Sequence, residues 1–381
     1  MPSGSPPASR PRRVLFVFGT RPEAIKLCPI ALHLRARPAE FEVKVCVTAQ
    51  HRQMLDRVLE VFDVRPGHDL NVMRPNQTLA QSTSSIIAAL DPVLEVERPD
   101  LVLVQGDTTT TFCGALAAFY RRIPVGHVEA GLRTGDLTQP FPEELNRVLT
   151  TRLTALHFAP TEDAAGNLRA EGVDEGRIFI TGNSGIDAVL LVRDRLETGA
   201  VSGFDAAGLD PERKLIAVTA HRRESFGEGF ERICEALAKL AARPDVQIVY
   251  PVHPNPNVRQ PVESRLGGLS NVRLVEPLDY APFVDLMRRS YLLLTDSGGV
   301  QEEAPSLGKP VLVMREKTER PDAVRVGTVK LVGTDVERIV AEAGALLDDP
   351  AEYRRMSQIH NPYGDGFASR RIAEAILDTP V

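Results

Sequence analysis

The sequence predicts an α/β protein of two parallel-sheet halves, and three observations carry that expectation. Short apolar runs that read as buried strands alternate with amphipathic helical stretches along the whole chain. At 381 residues the chain exceeds one ordinary core, so two domains are the default. Polar and glycine-bearing loops follow strand after strand, the place where a parallel sheet gathers ligand-binding groups.

Taken in order, Val14–Phe18 reads as a buried strand that runs into Gly19-Thr20-Arg21-Pro22 and a helix from Glu23 to about Arg35. Proline suits the first helical turn, where its missing N–H is no loss. Glu42–Thr48 is the next strand, followed by Ala49-Gln50-His51-Arg52 and a helix from Gln53. Leu79–Leu90 is helical, Leu101–Val104 is a strand ending in Gln105-Gly106-Asp107, and Thr111–Arg121 is helical. Strands at Pro124–Val128, Leu156–Ala159 and Ile178–Ile180 complete the first half. In the second half, strands are expected at Lys214–Thr219, Gln247–Val252, Val272–Leu274, Tyr291–Thr295 and Pro310–Met314. Helices are expected at Phe230–Leu240, Ala281–Arg289, Asp335–Leu347 and Ser369–Leu377. The boundary falls near Gly182–Leu209. The division is then a tail over 1–13, a first domain over 14–185 joined by the final helix at 367–381, and a second domain over 186–366.

Composition narrows the function classes. Apolar residues at 43% and charged residues at 25% are those of a globular chain, and a net charge of −6 argues against a nucleic-acid partner. Cys28, Cys46, Cys113 and Cys234 are far apart with no Cys-x-x-Cys spacing, which speaks against zinc and a disulfide framework. The N-terminal stretch has no apolar core for a signal peptide and no segment reads as a membrane span, so a cytoplasmic protein is expected, with no membrane partner.

The strand-end loops hold the candidate chemistry. Neither a GxGxxG fingerprint with a spaced acid nor GxxxxGK[ST] is present, so a Rossmann dinucleotide site and a P-loop are weak readings. Asp296-Ser297-Gly298-Gly299 joins a strand to a helix opening near Val300. Its glycines leave backbone N–H groups open to an anion, Ser297 adds a hydroxyl, and Glu303 can accept from a sugar hydroxyl. A plain helix cap accounts for Ser297 and the glycines as well, and the other loops tip the balance. Arg21 at a helix N-terminus suits a diphosphate, whereas Lys26, one turn on, reads by itself as a solvated surface charge. Asp107 ends a wholly apolar strand, where desolvation is expected to raise its pKa, although capping the next helix is the alternative. Glu129 ends another strand, and Glu143 and Glu144 open a helix. Three carboxylates converging on one cleft would have their pKa values pushed apart. His221 lies among Arg222 and Arg223 at a strand end, His253 among prolines, and Arg320 follows the strand after the serine-glycine turn. Together these second-half groups read as a nucleoside-diphosphate site.

The runs FGTRPEAIK (Phe18–Lys26), TAQHRQML (Thr48–Leu55), GDTTTT (Gly106–Thr111), PVGHVEAGLRTGD (Pro124–Asp136), PEELNR (Pro142–Arg147), HRRESFG (His221–Gly227), PVHPNPNVR (Pro251–Arg259) and Leu293–Val324 resemble the non-hydrolysing UDP-N-acetylglucosamine 2-epimerases. The resemblance runs from about residue 14 to the final helix. It departs at Leu145, where alanine is common in the family, and at Gly182-Asn183-Ser184-Gly185, where Thr-Val is common after the asparagine; both leave the candidate chemistry alone. The resemblance implies two Rossmann-like domains in a glycosyltransferase B-type arrangement with the active site in the cleft between them, and a homodimer. It implies interconversion of UDP-N-acetylglucosamine and UDP-N-acetylmannosamine by elimination of UDP to 2-acetamidoglucal and re-addition, feeding cell-surface polysaccharide synthesis, with neither nicotinamide nor metal. By motif position, Asp107, Glu129, Glu143 and His221 resemble the catalytic residues, with Asp107 or Glu143 the base. Arg21, Lys26, Phe283, Ser297, Gly298, Gly299, Glu303 and Arg320 resemble UDP-sugar contacts. Gln50, His51, Gln53 and His253 resemble an allosteric site for the substrate. The rival readings are a hydrolysing epimerase, a retaining glycosyltransferase and a non-catalytic UDP-sugar sensor. Nothing follows Val381, so no appended kinase-like domain is expected.

Overall fold

The computed structural model describes residues 10–48, 52–74 and 76–380. Gln50 and His51 lie outside them, as does most of the expected N-terminal tail. The end of that tail is already structured. Arg12 and Arg13 begin the first strand, and Arg10 holds Asp100 at 2.7 Å.

The chain forms two compact units, one reaching to Ala188 and resuming at Gly366, the other covering Val189–Asp365. The first contains seven strands: β1 (Arg12–Phe18), β2 (Phe41–Val47), β3 (His68–Asp69), β4 (Leu101–Gln105), β5 (Val125–Val128), β6 (Leu156–Ala159) and β7 (Ile178–Ile180). They pair in parallel in the order β3-β2-β1-β4-β5-β6-β7, with Val14 opposite both Val43 and Leu101. Parallel sheets are covered on both faces, which is why Val14–Phe18 and Leu101–Val104 are apolar without a break and fully buried. The second unit contains β8 (Lys214–Thr219), β9 (Val246–Pro251), β10 (Val272–Val275), β11 (Leu292–Thr295), β12 (Val311–Val313) and β13 (Val329–Leu331). Their order is β10-β9-β8-β11-β12-β13, all parallel, around a core that includes Phe230, Leu237 and Tyr250. The second unit thus has the doubly wound order 3-2-1-4-5-6, and the first has the same order with a seventh strand added at its edge. In each, chain growth reverses once, between β1 and β4 and between β8 and β11, and ligands bind at such switch points.

Several helices exceed the sequence reading. The helix expected to stop at Leu90 runs over Leu79–Glu97, through Pro92. Proline costs about 3 kcal/mol inside a helix, but Pro92 is on the solvent side while Leu90, Val93 and Leu94 are buried and hold the helix down. Pro256–Leu266 is likewise helical despite Pro261, because Val258, Val262 and Leu266 recur at helical spacing on a buried face. Helices at Glu162–Ala170, Ser184–Glu197, Pro321–Val326 and Pro350–Ser357 were also not anticipated. The division between units falls inside Ser184–Glu197, not in a turn.

The final helix, Ala368–Asp378, packs on the helix Arg21–Arg35 of the first unit. Asp187 anchors it: one carboxylate oxygen accepts the N–H of Ser369 at 2.8 Å and the other that of Ala368 at 3.2 Å. Arg12 reaches the other end and donates to the carbonyls of Ile376 and Thr379. All four cysteines are buried and free, and burial pushes the thiols of Cys46, Cys113 and Cys234 up to about 12. Among the described residues no helix is long and apolar enough to cross a membrane.

Because Asp187 satisfies two N–H groups at a buried helix start, Asp187→Ala should lower stability by about 1–2 kcal/mol in equilibrium urea unfolding. An unchanged midpoint would show that the final helix is held by its packing alone.

Candidate functional site

The loop after β1 must come close to its neighbours. A Cβ on Gly19 would lie 2.0 Å from the Thr48 hydroxyl and 2.7 Å from that of Thr110, so glycine is required for the ends of β1 and β2 and the helix after β4 to meet. The N–H groups of Gly19 and Thr20 both donate to the Glu23 carboxylate, at 3.0 and 2.7 Å. The Thr108 hydroxyl donates to its other oxygen at 2.7 Å. Burial raises the pKa of Glu23, opposed by those hydrogen bonds. The spacing Thr20-x-x-Glu23 is a capping-box signature, a signal the sequence reading passed over.

Lys26 is not the solvated charge its position suggested. It bonds Glu129, which also accepts from the Gln105 side chain, and the Lys26 and Glu129 side chains are only 17% and 9% exposed. Glu129 itself sits at φ 63, a left-handed conformation that costs a non-glycine residue about 1–2 kcal/mol. Such strain clusters at functional sites. Arg21 is half-buried at the start of its helix.

Asp107 also departs from expectation. It does not cap the following helix, because Thr108 does, accepting from the N–H of Thr111 at 3.1 Å. Nor is it walled in by apolar groups: its side chain is 32% exposed and Arg147 lies 3.1 Å from one oxygen. Arg147 also holds Glu144 at 3.2 Å, and Glu144 is buried, accepting the N–H groups of Thr134 and Gly135. Glu143, first in the helix Glu143–Leu153, is half-buried, and no described group bonds its carboxylate. The first unit thus pairs Lys26 with Glu129 and Arg147 with Asp107 and Glu144, and leaves Glu143 without a cation among the described residues.

In the second unit, the fully buried Asp296 organises the loop after β8. One of its oxygens accepts the N–H groups of His221 and Arg222 at 2.6 and 2.7 Å, and the other lies 3.5 Å from His221 Nδ1. His221 stacks on His253 with ring centres 5.6 Å apart. Burial lowers the pKa of His221 and the neighbouring His253 lowers it further, against the pull of Asp296. Ser297 caps the short helix Gly298–Glu303 without a side-chain bond to it, so the plain-cap reading leaves its hydroxyl unexplained. The Arg320 guanidinium lies against Gly298, where a Cβ would stand 3.1 Å from its central carbon, and Glu302 holds it at 2.8 Å. A Cβ on Gly299 would meet nothing within 4 Å. The structure thus gathers Ser297, Gly298, Gly299 and Arg320 at one turn, with His221 and His253 tied to it through Asp296. Glu303 ends the same short helix, and Phe283 is half-buried on the helix Tyr280–Arg289. Gln53, an exposed residue early in the helix Arg52–Phe62, belongs to the first unit.

The family model for UDP-N-acetylglucosamine 2-epimerase matches residues 33–377. The chain belongs to that family. It is 59% identical over 370-odd residues to the UDP-N-acetylglucosamine 2-epimerase of Escherichia coli (strain K12), a match that covers 97% of this chain and 99% of that one. The crystal structure of the Neisseria meningitidis enzyme bound to UDP-GlcNAc superposes with a TM-score of 0.86 at 50% identity, covering 96% of this chain and all of that one. The Methanocaldococcus jannaschii enzyme in complex with UDP-GlcNAc and UDP gives 0.73 at 32% identity, covering 96% and 99%. Each half accordingly has the α/β architecture of the glycosyltransferase B-type fold.

Within this family member, Glu23, Gln105, Asn146, Arg147 and Asp296 are the site-building residues that reading by motif left out. All lie inside a quoted run except Gln105, which immediately precedes one, but nothing in their residue types announces a buried partner. The departure at Gly185 is also closer to the chemistry than expected, since a Cβ there would stand 3.7 Å from the Lys26 Cε.

Behind β5 and β6, His127 and His157 are register partners and both buried. Burial lowers His127 to about 4, and burial together with His127 lowers His157 to about 3. Folded pKa values below the unfolded value mean that the unfolded chain takes up protons first. The stability these neutral rings contribute is whole above about pH 6.5 and falls as pH drops toward 4. For His127 the loss is on the order of 3 kcal/mol. Urea midpoints at pH 7 and pH 4.5 should therefore differ less in His157→Phe than in the parent; an identical difference would mean the rings do not titrate this way.

Proposed function

We propose that this chain interconverts UDP-N-acetylglucosamine and UDP-N-acetylmannosamine by elimination and re-addition of UDP, supplying a precursor for bacterial cell-surface polysaccharide. The observation that carries the proposal is the pairing of an acid-rich switch point in the first unit with a serine-glycine turn and a committed arginine at the switch point of the second. The family relationship supplies the substrate, since relatives at high identity bear that activity in their names.

The chemistry follows from the groups present. A carboxylate, Asp107 or Glu143, removes the hydrogen at carbon 2 while the bond from carbon 1 to the diphosphate oxygen breaks. The electron pair leaves with UDP, and carbons 1 and 2 become the double bond of 2-acetamidoglucal. In the return step a proton is delivered to carbon 2 on the other face and UDP re-forms its bond to carbon 1. No electrons are gained or lost. Glu129, fixed by Lys26 and Gln105, serves the proton transfers. The turn at Ser297–Gly299, with Arg320 and neutral His221, stabilises the departing diphosphate.

Two measurements test this reading. In heavy water with UDP-N-acetylglucosamine, proton NMR should show deuterium at carbon 2 and UDP-N-acetylmannosamine, without free sugar. Free N-acetylmannosamine with UDP would indicate hydrolysis, and no exchange would refute an epimerase. Separately, Gly298→Ala should displace Arg320 and weaken UDP binding about tenfold by titration calorimetry, equivalent to about 1.4 kcal/mol, whereas Gly268→Ala, at an exposed turn where a Cβ meets nothing within 4 Å, should bind within about twofold. Equal affinities in both variants would remove Arg320 and Gly298 from the nucleotide site.

A further inference from the structure

Three consecutive backbone carbonyls at the end of β4 are each taken by a different buried side chain. Gln105 O accepts from the Thr111 hydroxyl at 2.6 Å, Gly106 O from His127 Nε2 at 2.7 Å, and Asp107 O from Asn146 Nδ2 at 2.9 Å. The donors come from three elements: the helix Thr109–Tyr120, the strand β5, and the helix Glu143–Leu153. Thr111 and His127 are wholly buried and Asn146 nearly so. A strand leaving a sheet must find partners for its last carbonyls, and water or the next helical turn usually supplies them. Spending three side chains from three elements on one tripeptide over-determines the direction in which Asp107 leaves the sheet.

The state of His127 is dictated by its surroundings. Its Nδ1 is buried and has no hydrogen-bond partner among the described residues. Nε2 faces a carbonyl oxygen, which can only accept. The single ring proton therefore sits on Nε2, and the ring acts as a fixed donor. The charged groups around it, Arg133 and Arg147, both oppose protonation, and the neighbouring titratable group is the His157 ring.

Asn146 carries a second consequence. Residues three and four apart share a helix face, so Glu143, Asn146 and Arg147 lie together. Asn146 holds the Asp107 carbonyl, and Arg147 holds the Asp107 carboxylate at 3.1 Å. The helix that presents Glu143 is thereby docked on the residue that presents Asp107, through one backbone and one side-chain contact. The separation of the two carboxylates becomes a property of that docking.

We propose that His127 and Asn146 are positioning residues that fix the Gly106-Asp107 backbone and set the spacing of Asp107 from Glu143 for proton transfer at carbon 2. This rests on the reading of Asp107 as a catalytic carboxylate. A misplacement near 1 Å in a proton-transfer group lowers rate on the order of 100-fold, while UDP binding in the other unit does not depend on it.

The test compares His127→Phe, His127→Gln, Asn146→Ala and Asp107→Asn, read by kcat, KM, deuterium incorporation at carbon 2 and affinity for UDP. His127→Phe removes the donor while filling the space, and Asn146→Ala frees the Asp107 carbonyl. Both should lower kcat and deuterium incorporation on the order of 10- to 100-fold, with KM and UDP affinity within about twofold. His127→Gln offers an N–H at a similar reach and should recover most of the loss. Should His127→Phe fail to fold, Asn146→Ala decides the matter with the same readouts. Asp107→Asn separates the two levels of the argument. If Asp107→Asn keeps full activity, the catalytic assignment itself fails. If Asp107→Asn is inactive while His127→Phe or Asn146→Ala keeps parental kcat, or if their losses appear equally in UDP affinity, positioning is overturned.

Discussion

The backbone groups that strands leave unpaired at their carboxyl ends set the terms for this molecule. A buried N–H or C=O without a partner costs about 1–3 kcal/mol, and the switch points concentrate such groups where the ligand-binding loops start. The two units meet the constraint in the same way. After β1, the buried Glu23 takes two successive N–H groups, those of Gly19 and Thr20. After β8, the buried Asp296 takes two successive N–H groups, those of His221 and Arg222. Neither acid is nominated by motif, yet each shapes a loop that carries a candidate residue: Arg21 directly follows the bonded Gly19 and Thr20, and His221 is itself bonded.

Much of this architecture was legible because parallel strands declare themselves. Continuous apolar runs such as Val14–Phe18 and Leu101–Val104 have no other common use in a globular chain, and the loops behind them were found for that reason. Helices were less legible wherever proline stood inside them. Pro92 and Pro261 are tolerated because neighbouring side chains bury at helical spacing, a tertiary effect that local propensity does not encode. At the site, residue type nominates candidates but does not reveal their partners. Lys26 read as a surface charge because Glu129, its partner, is more than a hundred positions away. Asp107 read as desolvated because Arg147 cannot be placed beside it without the sheet order. Long-range pairing is invisible to periodicity; only topology supplies it.

That pairing alters the electrostatic picture of the first unit. Bare carboxylates in a shared cleft would resist ionising together. Here Lys26 pairs with Glu129, and Arg147 pairs with both Asp107 and Glu144. Lys26, which resembles a substrate contact by motif, is here an ion-pair partner of an acid, as is Arg147.

On the proposed reaction, the two units would divide the labour by the same considerations. Removing a hydrogen from carbon requires anionic bases whose charge is moderated, whereas releasing a diphosphate requires N–H donors and cations that do not need to reorganise. These environments oppose each other: a cation rich enough to hold a diphosphate would weaken a neighbouring carboxylate as a base. Building them on separate sheets keeps them independent. The second unit binds its arginine through Glu302 and keeps His221 neutral by burial. The first unit keeps its acids by ion pairing and fixes Asp107 through the backbone. The same doubly wound strand order serves both because its switch point specifies where loops converge, and leaves open which charge they bring.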